Sequence, residues 1–276
     1  MFAHVIKDNH MIPSIKQAKK NFFERGFAPY STAYVVTNED LRNALTCMPA
    51  DTNRALTVTA SGDHPIFTQL YGAKYVDTFD ISFNARLIMD IKTSALSLLN
   101  HTEYCTLLKN LYTDNDIARI KNMPQIMEKL TPFEQKYINA MRGINLFNKP
   151  LDYISNSLPA EPEFEKMQQS VKKPFKFIFS DIQTLHKKLK RNYDFMHLSN
   201  IFDYLRTYQT CVEVLGSLAQ YSNPGCKICF TCFVKDAEAI CEKFIWEQEL
   251  SSDKKQVWMA NAVPKADRTY VIQRIR

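Results

Sequence analysis

The chain has 276 residues, 45% of them hydrophobic and 23% charged, the composition of a globular protein long enough to bury a sizeable core. Its net charge of +6 permits an anionic partner without requiring one, and six glycines leave little material for a glycine-rich phosphate loop. No run approaches the roughly 20 apolar residues needed to span a bilayer, the first residues carry no secretory pattern, and the seven cysteines read as reduced thiols, so a cytoplasmic setting is expected.

Residues 1–53 read as a helical and irregular extension punctuated by Pro13, Pro29 and Pro49, with helices over Ser14–Phe23 and Asn38–Leu45, the second capped by Asn38. The stretch from Arg54 to Asp80 is the most informative. It gives an apolar strand over Leu56–Ala60, a turn at Ser61-Gly62-Asp63, a short helix, and a second strand, Tyr75–Asp80, that ends on a carboxylate. That order opens a nucleotide-binding βαβ unit. Ser82 can cap the long helix that follows, in which Leu87, Ile88, Ile91, Ala95, Leu98 and Leu99 recur at helical spacing and predict a face packed on a sheet.

From about 100 to 172 the pattern is helical, with stretches at Glu103–Tyr112, Asp114–Lys121 and Pro132–Met141, and an acidic loop bracketed by Pro159 and Pro162. This is read as an insertion, a lid or a substrate-selecting wall. Strand and helix then alternate again. Strands are expected over Phe175–Phe179 and Tyr193–Leu198, helices over Ile182–Lys190 and Phe202–Tyr221, a strand over Cys226–Val234 after a Pro224-Gly225 turn, and a helix from Asp236 to about Gln248. Val257–Ala262 and Tyr270–Ile275 should pair as a terminal hairpin. Alternating βα units imply an α/β fold with a doubly wound, mostly parallel sheet across 54–276.

Open sheets of this kind take ligands outside the carboxyl ends of their strands. Four such ends carry suitable groups: Ala60-Ser61-Gly62-Asp63-His64, then Asp80, then Ser180-Asp181, then Ser199-Asn200. Gly62 would let the backbone come close to a ligand. Asp80 lies 18 residues after it, near the spacing of a carboxylate that accepts ribose hydroxyls. Asp181 is placed to accept from an adenine amino group. Strand-ending Asp and Ser also cap helices, which is the plainer role open to each of them. His64, His197 and Asp203 are the available proton acceptors, His197 being equally readable as a buried core histidine. Period-two alternation turns Cys229 away from Cys226 and Cys232, so these read as small buried hydrophobes and no metal site is expected. The basic run Leu185–Arg191 reads as a solvated helix face rather than a nucleic-acid interface.

The runs SGDHPIF, YVDTFDISFNARLIMDIKTSAL and YDFMHLSNIFDYL resemble S-adenosylmethionine-dependent transferases related to betaine-lipid synthases, at Ser61, Gly62, Asp63, Asp80, Asn84, Ser199 and Asn200. The resemblance covers Arg54–Leu99 and Phe175–Val234 and departs from the usual pattern in having one glycine in the first turn and Ile81-Ser82 after the acid. It implies a Rossmann-like, class I methyltransferase-like fold that binds S-adenosyl-L-methionine. Ala60, Ser61 and Gly62 would approach the methionine portion, Asp63 its amino group, Asp80 with Ile81 the ribose, Ser180, Asp181 and Ile182 the adenine. Ser199 and Asn200 would line the reaction pocket, and His64, Asn200 and Asp203 are the candidates for a catalytic role. Methyl and 3-amino-3-carboxypropyl transfer both remain open, as does the acceptor, for which a small molecule or a lipid suits the Phe, Tyr and Met content of the insertion. Two alternatives stand beside this: a catalytically inactive Rossmann-like binding protein, and an NAD-dependent oxidoreductase, against which the missing G-x-G-x-x-G counts.

Overall fold

The structure, a computed structural model, describes residues 33–114, 117–141, 147–148, 158–250, 257–266 and 268–275. The helix expected over Ser14–Phe23 lies outside them. The described residues fall into two compact units: unit 1 holds 33–38, Thr59–Ile66 and most of Asp80–Pro174, and unit 2 holds Glu39–Val58, Phe67–Phe79 and most of the chain from Phe175 onward.

Unit 2 is built on a seven-stranded sheet. In chain order its strands are β2 (Arg54–Val58), β3 (Tyr75–Asp80, whose last residue belongs to unit 1), β5 (Lys176–Phe179), β6 (Tyr193–His197), β7 (Ser222–Thr231), β8 (Trp258–Ala262) and β9 (Thr269–Arg274). Their spatial order is β5-β3-β2-β6-β7-β9-β8. β3, β2, β6 and β7 run parallel, while β9 runs antiparallel to both β7 and β8. Four of the five residues of β2 are buried, the near-continuous apolar run of a strand covered on both faces. Helices flank the sheet, so the mostly parallel, Rossmann-like α/β arrangement expected from the sequence is present.

Polar anchors tie the amino ends of these strands. Asp194 accepts from the backbone of Asn53 and Arg54 and from the Asn223 amide. Buried Asp77 accepts from Arg54 at 3.0 Å and from the Tyr193 hydroxyl at 2.9 Å. Two helices, α9 (Tyr208–Ala219) and α10 (Ala237–Leu250), pack on each other, and α10 lies on β8 and β9 through an edge-to-face pair of Phe244 and Trp258.

Unit 1 holds a short parallel pair, β1 (Ala33–Tyr34) with β4 (Phe147–Asn148), and a set of helices. The longest is α3 (Phe83–Leu98), preceded in the chain by the short α1 (Leu41–Ala44) of unit 2 and by α2 (Asp63–Leu70), which begins in unit 1. Then come α4 (His101–Asp114), α5 (Pro124–Met127), α6 (Pro132–Ala140) and α7 (Glu161–Ser170). The Ser82 hydroxyl caps α3 by accepting from Asn84 N, as its sequence position predicts. Inside the unit α3 packs against β1, α5 and α7, and Tyr137 of α6 donates to Asn84 at 2.8 Å between edge-to-face aromatic rings of Phe83, Phe133 and Tyr137.

Several element boundaries differ from those the sequence predicts. Asp40, not Asn38, caps α1, because its carboxylate reaches Asn43 N. The loop expected between Pro159 and Pro162 is the start of α7: proline sits in its first turn, where its missing N–H has no helical partner to lose. The helix expected over Phe202–Tyr221 is a 3-10 turn, Ile201–Tyr204, followed by α9, restarted where Thr207 caps it. The Asp114–Lys121 stretch is a 3-10 segment over Ile117–Asn122. Pro224 and Gly225 do not precede β7 but lie within it, at a bulge where the pairing with β6 slips and Gly225 takes φ +83°. Leu98 is 39% exposed, although the other residues of its predicted stripe are buried.

Candidate functional site

In unit 1 the chain leaves β2 through a tight bend. Gly62 N donates to Thr59 O at 2.7 Å, Ala60 takes φ +46° and Gly62 φ +80°. The left-handed region is costly for alanine, and such residues persist where the surroundings hold them. Here the holder is Asp80: its Oδ2 accepts from Ala60 N at 3.0 Å and its Oδ1 from Ser82 N at 2.9 Å. The acid and the bend singled out in the sequence are therefore in direct contact. Burial raises the Asp80 carboxyl to about 6, against the opposing pull of the Ser82, Ala60 and Ile81 amides and of nearby His64. With about four acceptor sites on its two oxygens, the carboxylate keeps capacity for a further donor beside these amides.

Gly62 has a different job from the one its sequence suggested. A Cβ built on it would lie 2.7 Å from Met89 Cα, so its bare backbone admits α3. Asp63 is likewise turned inward. Its Oδ1 is 2.5 Å from the Lys92 ammonium, and its Oδ2 accepts from Thr37 N and from the Ser61 hydroxyl, both at 2.8 Å. Lys92 is fully buried, and that burial pushes its ammonium down while Asp63 works the other way. The strand-end motifs do not announce Lys92. The signal was available: a lone lysine at helical spacing within the apolar stripe of Ile88, Ile91 and Ala95 needs a buried acid. His64 opens α2 and is 1% exposed.

In unit 2 the strand order reverses between β2 and β6, the topological switch point outside which open α/β sheets bind ligands. β6 ends there on His197, fully buried and stacked on Phe195, followed by Ser199 at φ +57° and Asn200. Glu39 grips that end: its Oε1 accepts from the Ser199 hydroxyl and from Asn200 N. Ser180 and Asp181 follow β5. Asp181 accepts from Gln183 N at 2.7 Å, the capping role that sequence left open beside the adenine one, and Ile182 is buried behind it in the short helix α8 (Ile182–Leu185). Asp203 anchors a loop, its carboxylate accepting from the backbone of Phe233, Val234 and Lys235.

No family model matches this chain, and no curated protein does. Among solved structures it is similar to an N-methyltransferase, NodS, of Bradyrhizobium japonicum in complex with S-adenosyl-L-homocysteine, at 10% identity and TM-score 0.37, covering 85% of this chain and 81% of that one. An O-methyltransferase of Bacillus cereus, also in complex with S-adenosylhomocysteine, aligns at 9% identity and TM-score 0.37 over 98% and 94%. An rRNA methylase of Streptococcus thermophilus aligns at 7% and 0.38 over 86% and 94%. Likeness this remote carries no argument about chemistry, which rests on the geometry above.

Proposed function

We propose that the chain is an S-adenosylmethionine-dependent transferase whose cofactor site is founded on the Ala60–Gly62 bend and Asp80. One observation carries this reading: a half-buried carboxylate at the end of the second parallel strand holds the bend after the first, and keeps acceptor capacity for hydroxyl donors. Asp80 would accept from the ribose, Ile81 would flank it, and the backbone of Ala60 and Ser61 would face the methionine portion. Asp63, engaged by Lys92, would rigidify the bend rather than meet the amino group. In unit 2, Ser199 and Asn200 at the switch point are proposed as ligand contacts in their own right, as are Ser180, Asp181 and Ile182.

A sulfonium supplies an electrophilic carbon and a neutral thioether leaving group. The protein's share of such a displacement is alignment and exclusion of water, more than strong base catalysis. The engaged state of Asp203 fits that division of labour and leaves His64 and Asn200 as the polar groups to test first. The acceptor is proposed to be apolar, a small molecule or a lipid.

Calorimetry with S-adenosylmethionine, S-adenosylhomocysteine and NAD tests the assignment. Heat with the first two but not the third is expected, and no heat with either would leave only a binding protein for another ligand. Asp80→Asn should weaken binding by about 2 kcal/mol, roughly 30-fold in Kd, because hydrogen bonds to a charged acceptor are lost. Product analysis then separates S-adenosylhomocysteine, left by methyl transfer, from 5′-methylthioadenosine, left by aminocarboxypropyl transfer.

A further inference from the structure

Seven cysteines are free, and two of them meet in unit 2. Cys47 closes the 3-10 turn Leu45–Cys47 before β2, and Cys229 lies in the middle of β7. Both thiols converge on the carbonyl oxygen of Ala44, Cys47 at 3.1 Å and Cys229 at 3.8 Å. Cys47 is half-buried and Cys229 fully buried. Lys227, two residues before Cys229, places its ammonium 3.1 Å from the Cys47 carbonyl oxygen.

We propose that Cys47 and Cys229 are a thiol pair that takes a two-electron oxidant, hydrogen peroxide in the simplest case, and closes reversibly to a disulfide. This inference does not rest on the reaction assigned above. The Cys47 thiolate attacks a peroxide oxygen. The O–O bond breaks, giving the Cys47 sulfenic acid and hydroxide. The Cys229 sulfur then attacks the sulfenic sulfur, the S–O bond breaks, and the departing hydroxide leaves with the Cys229 proton as water. Two thiols are oxidised and one peroxide is reduced to two waters. A low-molecular-weight thiol reverses the change by exchange.

The surroundings assign the roles. The Cys229 thiol and the Lys227 charge lower the pKa of Cys47, and water can reach it, so it is the attacking group. Burial raises Cys105, the other half-buried cysteine, and also raises Cys211, Cys226, Cys232 and Cys241. The bond would fasten the segment that carries Glu39 onto β7. The Cys229 carbonyl accepts from Leu198 N, next to the Ser199 that Glu39 holds. Oxidation would thus fix the carboxyl end of β6.

The test is peroxide treatment of the full chain under native conditions, followed by non-reducing digestion and mass spectrometry. A Cys47–Cys229 linked peptide pair that dithiothreitol removes is expected. Dimedone should label Cys47 at least about tenfold faster than Cys105, given the dependence of reactivity on thiolate character, and should accumulate on Cys47 in Cys229→Ser. Cys47 over-oxidised without the link, or Cys105 labelled as fast in the unsubstituted protein, would overturn the pairing. The second readout needs no variant to fold.

Discussion

Asp80 carries opposite demands at one side chain. As the proposed ribose acceptor it would work best ionised, yet burial holds its carboxyl at about 6 against an ordinary 3.8. A carboxyl raised on folding contributes stability that is present below its unfolded value and lost as pH climbs through the folded one. The stability of the unsubstituted protein relative to Asp80→Asn should therefore fall between pH 4 and 7, by about 3 kcal/mol for a shift of this size. Denaturant titrations at the two pH values check it, and a difference that stays flat would mean the carboxyl titrates normally. Cofactor affinity should move the other way and weaken as pH drops through 6. Gly62 offers a test of packing. Gly62→Ala meets the Met89 backbone at 2.7 Å and a positive φ together, and should destabilise the fold by about 3 kcal/mol. A loss near zero would show that α3 moves aside freely.

Helix α3 shows what patterning reveals about an element and what it hides. Its cap at Ser82 and its apolar stripe were legible because both are local: a hydroxyl one residue before the first turn, and a 3.6-residue period. Tyr75–Asp80 was legible to the residue for the same reason. The Lys92–Asp63 pair was legible only in half, since a lysine within an apolar stripe calls for a buried acid but its partner lies 29 residues away. Spacing alone does not say which way the Asp63 side chain faces. Boundaries failed where a single side-chain bond decides them, as at Asp40 before α1 and Thr207 before α9. The pair itself makes a strong prediction. Lys92→Met leaves a buried carboxylate without its cation and should cost about 3–5 kcal/mol, whereas the double change with Asp63→Asn should recover much of that. Chemical denaturation of both variants measures it, and equal losses in the two would mean that charge is not what holds the bend.

Across the whole molecule, the sheet order is where sequence and structure agree most and where the one surprise lies. Alternating βα units predict the parallel strands and the two last strand runs the terminal hairpin, yet the hairpin's second strand, β9, sits inside its first. Burial explains the choice: Val271 and Ile272 of β9 are buried, whereas β8 exposes Met259, Asn261 and Ala262, so the more apolar strand takes the inner place. Ligand binding at the site proposed on the Ala60–Gly62 bend and Asp80 would have a global consequence. A molecule that binds only the folded state stabilises it by RT ln(1 + [L]/Kd), about 2.7 kcal/mol at one hundred times Kd. For a chain of this size that corresponds to a rise in Tm of roughly 5 °C or more. S-adenosylhomocysteine should produce this rise in a thermal scan, NAD should not, and Asp80→Asn should lose most of it at the same ligand concentration. An equal rise in Asp80→Asn would take the carboxylate out of the site while leaving the ligand in the protein, and would send the search to the other end of the sheet.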